Sequence, residues 1–364
     1  PTTVRWRVWR IFFPELQRGL AAISIAAPAT LRSTIKRRCK KPCAVLDYNW
    51  CVIARLAFAR DNSRNLSGHG PCEMITLRGA ARYKALTLLL LACTWGRLLA
   101  AELPGGDRPV EVYVPSSYET GTPVPLLLLL HGLALTGPLQ EDYFNFKPLA
   151  EERGFLYAYP TGTRDKVLEN FWNATDACCN FYGSEVDDSG YLRGLIDEIG
   201  THYSVDKRRI YLVGYSNGGF MAHRMACEHA DTIAAIVSLA GAQFAQSNRC
   251  QPSEPVHVLQ VHGTADLTVL YRGGKFFGRP YPGAAETASK WADLNGCKSE
   301  PVDASALNLE AVLPGAETTV RRWNAGCKQG GSAELWSIRA GSHLPLFAPV
   351  FSAAVIDYLF SHGK

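Results

Sequence analysis

The sequence predicts an α/β fold in which a mostly parallel central sheet is covered by helices on both faces. Strand-like apolar runs alternate with helical patterns along residues 101–364, as expected where helices connect parallel strands. The run Pro125–Leu130 is continuously apolar, which is typical of a strand buried on both sides. A second run, Ile210–Val213, leads directly into a G-x-S-x-G turn and then into a helical pattern.

The other elements are predicted from the same periodicities and from the residues that interrupt them. Strands are expected at Val110–Val114, Phe155–Tyr159, Thr232–Leu239, Val256–Val261 and Ala333–Ile338. Helices are expected at Asp142–Arg153, from an N-cap at Asp188 or Ser189 to Tyr203, at Glu286–Asn295 and at Ala348–Phe360. Segments 161–187 and 298–331 are polar and flanked by cysteines, which favours an open rim. Two strands and their turns fill 230–265, leaving no room for a large lid.

Charge divides the chain into two unlike parts. The net charge of the 364 residues is +5, from 38 Lys and Arg and 33 Asp and Glu. Residues 1–73 hold 13 basic and 4 acidic residues, which is +9, and residues 74–364 hold 25 and 29, which is −4. The part that has folding signals is therefore mildly acidic, and we expect no nucleic-acid partner.

Three segments are predicted along the chain. Residues 1–73 lack any sustained period and are interpreted as a non-native leader with no domain, although the basic run at 35–41 could also contact nucleic acid or a membrane. Residues 74–100 combine basic residues, a short apolar core and small residues, which indicates a secretory signal peptide. Residues 101–364 form the predicted catalytic domain. A secreted protein, extracellular or periplasmic, with no stable membrane insertion after signal removal, is expected.

Cysteine usage agrees with export. Six of the eleven cysteines lie after residue 101, and an even number in a secreted chain suggests disulfides. No pair has C-x-x-C spacing, so no metal site is expected. Cys297 and Cys327 flank one long insertion and are expected to pair. A bond between the adjacent Cys178 and Cys179 would be strained, so at least one of them is expected to reach Cys227 or Cys250.

Ser216 is the candidate nucleophile, because the strand–turn–helix context exposes such a serine at the edge of the sheet. A hydroxyl needs a base and a group that orients the base. His343 follows a strand and precedes the last helix, whereas the alternative His362 lies two residues from the C-terminus.

Asp266 is the candidate acid, since it follows the strand Val256–Val261 by a few residues. The competing acids fall on helices or polar loops: Asp231, Asp293, Asp303 and Asp357. His262 precedes the acid and is expected to pack beneath it.

The backbone N–H groups of Asn217 and Leu133 are the candidate oxyanion donors, with Gly132 as an alternative to Leu133. His131 is expected to be structural because it precedes Ser216. Trp172, Tyr215 and Tyr271 are candidates for an aromatic substrate pocket, and packing inside the core is the alternative for each.

Several motifs together resemble the secreted α/β-hydrolase esterases of the polyhydroxybutyrate depolymerase-like and feruloyl esterase-like group. They are LLLLLHG at 126–132, ACCN at 177–180, EVDDSGYL at 185–192, the stretch 205–228 around Ser216, HGTAD at 262–266 and WADLNGC at 291–297. The chain departs from that group at Leu344, where a Trp usually follows the histidine. Tyr215 and Ser342 stand where tannase-like feruloyl esterases have cysteines.

The resemblance implies a serine carboxylic-ester hydrolase that forms an acyl-enzyme and needs no metal or organic cofactor. The implied substrates are small-molecule or polymeric esters: small, aromatic-acid (feruloyl-type) or polyester. The enzyme is expected to be a monomer. An acyltransferase or peptidase on the same fold, or a non-catalytic binding protein, are the alternatives.

Overall fold

The computed structural model describes residues 104–298 and 300–364. The leader predicted at 1–73, the signal peptide predicted at 74–100 and residues 101–103 of the predicted catalytic domain lie outside the described residues. Within the described ranges, no helix combines the length and the apolar character that crossing a membrane requires.

The described part of the chain folds around one large sheet. Its strands are β1 (Val112–Tyr113), β2 (Val124–Leu130), β3 (Leu156–Ala158), β6 (Val205–Tyr215), β7 (Ala235–Leu239), β8 (His257–Gly263), β11 (Val302–Leu307), β12 (Thr318–Trp323) and β13 (Ser332–Ile338). Two short hairpins, β4 (Thr163–Arg164) with β5 (Asn170–Phe171) and β9 (Gly273–Phe276) with β10 (Arg279–Pro282), lie outside it. The helices are α1 (Gly137–Phe144), α2 (Lys147–Arg153), α3 (Asp188–His202), α4 (Asn217–Glu228), α5 (Ala284–Leu294) and α6 (Val350–Phe360).

The strand order is β1-β3-β2-β6-β7-β8-β13-β12-β11. Neighbours from β3 to β13 pair in parallel, and antiparallel strands border this block on both sides. The predicted mostly parallel sheet is therefore confirmed. Because the parallel strands all point the same way, their carboxyl ends meet at one edge.

Strand β2 shows why the leucine run predicts a covered sheet. Leu126, Leu128 and Leu130 belong to one apolar core, and Leu127 and Leu129 belong to a second core on the opposite face. Side chains alternate across a strand, so a run of leucines supplies both cores at once. Full burial of each leucine contributes about 1.5–3 kcal/mol. Helix α4 packs into the first core and helix α6 into the second, which confirms helices on both faces.

Two predicted elements differ in the structure. The helix predicted at Asp142–Arg153 is two helices, because Asn145 adopts a left-handed conformation with φ of 53° and α2 then begins with a proline in its first turn. The segment 298–331, which was predicted to form a polar rim, instead contains strands β11 and β12, which extend the sheet in antiparallel pairing. Their half-exposed, polar sequence hides the strand signal.

The start of helix α3 also differs from the prediction. Asp187, rather than Asp188 or Ser189, is the N-cap, and its side chain accepts a hydrogen bond from Gly190 N–H. Asp188 is buried instead. Its carboxylate accepts hydrogen bonds from the Arg108 guanidinium at 2.6 Å and from Asn173 N–H at 2.7 Å.

The disulfides correct one prediction and confirm another. Cys178 pairs with Cys179, and Cys227 pairs with Cys250, so the expected link between these two pairs is wrong. Cys227 lies in helix α4 and faces the loop after β7, which places Cys250 within reach and leaves the adjacent cysteines to each other. Cys297 pairs with Cys327, as predicted.

We expect Asp188→Ala to lower the free energy of unfolding by about 3 kcal/mol, because it leaves the partly buried Arg108 and the N–H of Asn173 without their acceptor. Urea denaturation measures the change. Asp187→Ala is the matched control: it removes an exposed cap and should cost about 1 kcal/mol. Equal losses in the two variants would contradict a structural role for the buried pair.

Candidate active site

Ser216 lies on the turn between β6 and α4, with a backbone φ of +52°. A non-glycine residue is strained at such a φ, and the turn persists because its neighbours fix it. Ser216 N–H donates to Leu239 O on β7 at 2.8 Å. Gly214 and Gly218 are needed on either side, since a Cβ at Gly214 would meet the backbone of Gly218, and one at Gly218 would meet the carbonyl of Leu130.

Three side chains from distant parts of the sequence form one hydrogen-bonded chain. His343 Nε2 lies 3.1 Å from Ser216 Oγ, and His343 Nδ1 lies 2.7 Å from Asp266 Oδ2. All three residues are buried. The alternative base, His362, packs against His257 at the amino-terminal end of β8, which is the opposite edge of the sheet.

The loops that carry the acid and the base are joined to each other. Ala265 N–H donates to Gly341 O at 2.9 Å, and Ala340 N–H donates to Thr264 Oγ1 at 2.9 Å. These two bonds run between the loop that follows β8 and the loop that follows β13. The separation of Asp266 and His343 is thereby fixed by hydrogen bonds between the two loops as well as by their own hydrogen bond.

The Asp266 carboxylate makes four polar contacts. Oδ1 accepts from Thr268 N–H at 2.8 Å and from Val269 N–H at 2.9 Å. Oδ2 accepts from His343 at 2.7 Å and lies 3.2 Å from His262 Nε2. The two oxygens of a carboxylate offer about four acceptor positions, so the acceptor capacity of Asp266 is filled.

These contacts determine the charge of Asp266. Burial by itself would raise the pKa of its carboxyl group, but the charge of His343 and the hydrogen bonds from His262 and His343 outweigh burial. The net result is a pKa well below the ordinary range of an aspartate. Asp266 therefore stays ionised and can stabilise a positive charge on His343.

The candidate oxyanion donors lie on either side of Ser216. The N–H of Gly132, the alternative donor, is occupied because it bonds to Gln140 Oε1 at 3.0 Å. Among residues 104–298 and 300–364, no protein acceptor bonds the N–H of Leu133. The N–H of Asn217 belongs to the first turn of α4 and has no intrahelical acceptor. Leu133 and Asn217 can therefore both donate to a bound oxygen.

The three aromatic residues predicted to line a substrate pocket all make packing contacts in the structure. Trp172 is fully buried and its indole N–H donates to His131 O at 3.1 Å, so it cannot contact a substrate. Tyr215 is 5% exposed, and its ring lies 5.3 Å from that of His343, beside which it packs. Tyr271 is half-buried, bonds to Ser337 through its hydroxyl and presents its ring to His262. The packing alternative therefore describes Trp172, whereas a substrate contact stays a prediction for Tyr215 and Tyr271.

Sequence reasoning missed several residues that shape the site. Gln140 holds the oxyanion loop, the turn that carries Gly132 and Leu133, by accepting a hydrogen bond from Gly132 N–H. The side chain of Asn217 holds Trp172 by bonding to both its backbone N–H and its backbone O. Leu267 and Leu346 lie one and three residues after the acid and the base, and both are largely exposed. A leucine within three positions after each catalytic candidate was the available signal for these two exposed residues.

The depressed pKa of Asp266 predicts a pH dependence of stability. A carboxylate whose pKa is lower in the folded state stabilises the fold fully above its unfolded pKa of about 3.9, and that contribution is lost as the pH falls toward the folded value. The difference in free energy of unfolding between wild type and Asp266→Asn should therefore shrink from about pH 5 to about pH 2. Urea titrations at each pH measure it, and a constant difference would show that the pKa is not depressed.

Comparison with known proteins finds relatives in sequence and in structure. No family model matches the chain. It is 29% identical to feruloyl esterase B of Piromyces equi over 65% of this chain and 42% of that protein. It is 24% identical to feruloyl esterase D of Neurospora crassa over 69% of this chain and 78% of that protein. The chain thus spans less than half the length of the first of these relatives.

Among solved structures, the acetyl xylan esterase from Aspergillus awamori superposes with a TM-score of 0.51 over 71% of this chain and 96% of that one. At 15% sequence identity, this likeness shows the shared fold. In fold and in sequence, the chain resembles the feruloyl esterase-like group of α/β-hydrolases, as its motifs predict.

Proposed function

We propose that the chain is a serine carboxylic-ester hydrolase that works through an acyl-enzyme. The observation that carries the proposal is the buried hydrogen-bonded chain from Asp266 through His343 to Ser216. The names of its sequence relatives, which are esterases, support the same reaction class.

In the proposed first half-reaction, His343 Nε2 takes the proton of Ser216 as its Oγ attacks the ester carbonyl carbon. The tetrahedral oxyanion accepts hydrogen bonds from the N–H groups of Leu133 and Asn217. Asp266 stabilises the imidazolium. When the tetrahedral intermediate collapses, the C–O bond to the alcohol breaks and His343 returns the proton to the leaving oxygen.

In the second half-reaction, water attacks the acyl-enzyme and His343 Nε2 accepts its proton. The new tetrahedral intermediate uses the same two N–H donors. Its collapse releases the carboxylic acid, and the proton returns from His343 to Ser216 Oγ. One ester and one water are converted to one acid and one alcohol, with no redox change.

For the substrate, we propose esters of small or aromatic acids, including acyl groups carried on a polymer. The first-named relative is called a feruloyl esterase, which supports an aromatic acid. Between α4 and Asp266 the chain forms only β7, a 3₁₀ turn at Ser247–Arg249, β8 and their connections. Such short segments support an open site, which a bulky or polymer-borne ester can enter.

We also propose that the protein acts outside the cytosol. Six cysteines form three disulfides in the described residues, and such bonds persist in oxidising compartments. The signal peptide predicted at 74–100 supports the same location.

We expect Ser216→Ala to lose on the order of 10⁴-fold or more in kcat while keeping its fold, because a triad acts as a unit. Hydrolysis of p-nitrophenyl acetate and methyl ferulate measures activity, and circular dichroism checks the fold. His343→Ala should lose comparable activity, whereas the matched control His362→Ala should not, since His362 lies at the opposite edge of the sheet. An active His343→Ala with an inactive His362→Ala would overturn the assignment of the base.

We expect kcat/KM to fall or stay flat as p-nitrophenyl esters lengthen beyond roughly six to eight carbons. An open rim buries little of a long chain, whereas each buried methylene would contribute about 0.8 kcal/mol and raise kcat/KM several-fold. A series of esters from acetate to palmitate measures this. A steady rise to palmitate would instead indicate a deep acyl pocket.

A further inference from the structure

A chain of buried polar contacts leads from Trp291 to Asp266. Trp291 Nε1–H donates to His223 Nδ1 at 3.0 Å, and His223 Nε2 lies 2.9 Å from Gln260 Oε1. Gln260 Nε2 lies 3.3 Å from His262 Nδ1, and His262 Nε2 lies 3.2 Å from Asp266 Oδ2. Trp291, His223, Gln260 and His262 are all at most 1% exposed.

The first two bonds have only one possible direction. An indole N–H can only donate, so His223 Nδ1 is an acceptor. Burial lowers the pKa of His223 to about 4, although its bond to Gln260 opposes the effect, and the ring is therefore neutral. A neutral ring with an accepting Nδ1 carries its proton on Nε2, which donates to Gln260 Oε1.

The next two bonds are directed by the amide of Gln260. Its oxygen faces His223, and its Nε2 donates one hydrogen to Gly241 O at 2.9 Å and the other to His262 Nδ1. His262 must then be neutral with its proton on Nε2, because a proton on Nδ1 would face the amide N–H. That Nε2–H lies between two acceptors: Val269 O is 2.8 Å and Asp266 Oδ2 is 3.2 Å from His262 Nε2.

We propose that His262 is a positioning residue for catalysis, held by Trp291, His223 and Gln260 as a neutral Nε2–H donor that keeps Asp266 Oδ2 directed at His343. The inference rests on the proposed function. His262 touches neither Ser216 nor the open side of the site, so it acts on the reaction through Asp266. The rings of Tyr271 and His262 pack in a T-shaped arrangement with centroids 5.7 Å apart, which limits the movement of His262.

The size of the effect follows from what else holds Asp266. Its Oδ1 is anchored by the N–H groups of Thr268 and Val269, so the carboxylate stays in place without His262. What His262 adds is a second donor on Oδ2, which restrains rotation of the carboxylate. Losing one hydrogen bond of average net strength corresponds to about a tenfold change in rate.

His262→Leu should therefore lower kcat about tenfold and leave KM unchanged, because the variant weakens the orientation of His343 and touches no substrate-binding group. His262→Gln should restore most of the loss, since its Nε2–H can lie where the imidazole Nε2–H lies. Both constants are measured with p-nitrophenyl acetate. In proton NMR, the low-field resonance of the His343–Asp266 hydrogen should shift in His262→Leu and return toward wild type in His262→Gln.

A double-mutant cycle tests the far end of the chain. Trp291→Phe removes the N–H that makes His223 Nδ1 an acceptor, so the tautomer of His223 is no longer fixed. We expect this variant to lower kcat by about two- to threefold, with no further loss in the His262→Leu background. Trp336→Phe is the matched control: it also removes a buried indole bond, to Glu334 at 2.6 Å, but it leaves this chain intact and should not change kcat. Thermal unfolding of every variant separates loss of stability from loss of rate.

The outcomes are separable. Unchanged kcat and an unchanged low-field resonance in His262→Leu would overturn the proposal, as would a His262→Gln variant as impaired as His262→Leu. If His262→Leu does not fold, the cycle is replaced by Trp291→Phe and His262→Gln, and strictly additive effects of these two would overturn it. If wild type cleaves no ester, the proposed function fails, while the NMR shift still decides the positioning role.

Discussion

The parallel register of the central strands is the constraint on which the site depends. Ser216 follows β6, Asp266 follows β8 and His343 follows β13, and β6-β7-β8-β13 are consecutive neighbours in the sheet. Strands in a sheet lie about 4.8 Å apart, so loops leaving the same edge of neighbouring strands are within side-chain reach of one another. The oxyanion loop leaves β2, the neighbour of β6 on the other side. One set of strand pairings therefore gathers residues separated by more than a hundred positions in the sequence.

The elements that were predicted correctly from the sequence are those whose local residue pattern is compatible with only one kind of structure. The leucines of β2 must be covered on both faces, and a serine between Gly214 and Gly218 must lie on a tight turn. Chain order then selects His343 over His362, and the structure places His343, not His362, beside Ser216. Strands β11 and β12 were missed because half-exposed edge strands carry polar residues that resemble loop sequence.

The aromatic residues show the limit of sequence patterns at the site itself. Trp172, Tyr215 and Tyr271 lie next to the motifs, and nothing in their types distinguishes lining a pocket from supporting a catalytic group. The three-dimensional contacts show what each one packs against: Trp172 bonds to His131 O, Tyr215 packs on His343 and Tyr271 packs on His262. The pairing of Cys178 with Cys179 is likewise decided by what surrounds Cys227, which no spacing rule conveys.

Burial of polar groups is costly unless every donor and acceptor is matched, and this condition explains how the site divides its tasks. The chain below Asp266 passes through β8 and the helix that begins at the nucleophile, so the orientation of the acid is set inside the core, where a misplaced proton is penalised. Leu267 and Leu346, by contrast, are exposed apolar side chains and have no polar atoms that need hydrogen-bond partners. Under the proposed function, we expect substitutions at Leu267 and Leu346 to change which ester is admitted without disturbing proton transfer. We expect substitutions in the proposed core chain to alter proton transfer and leave ester admission unchanged.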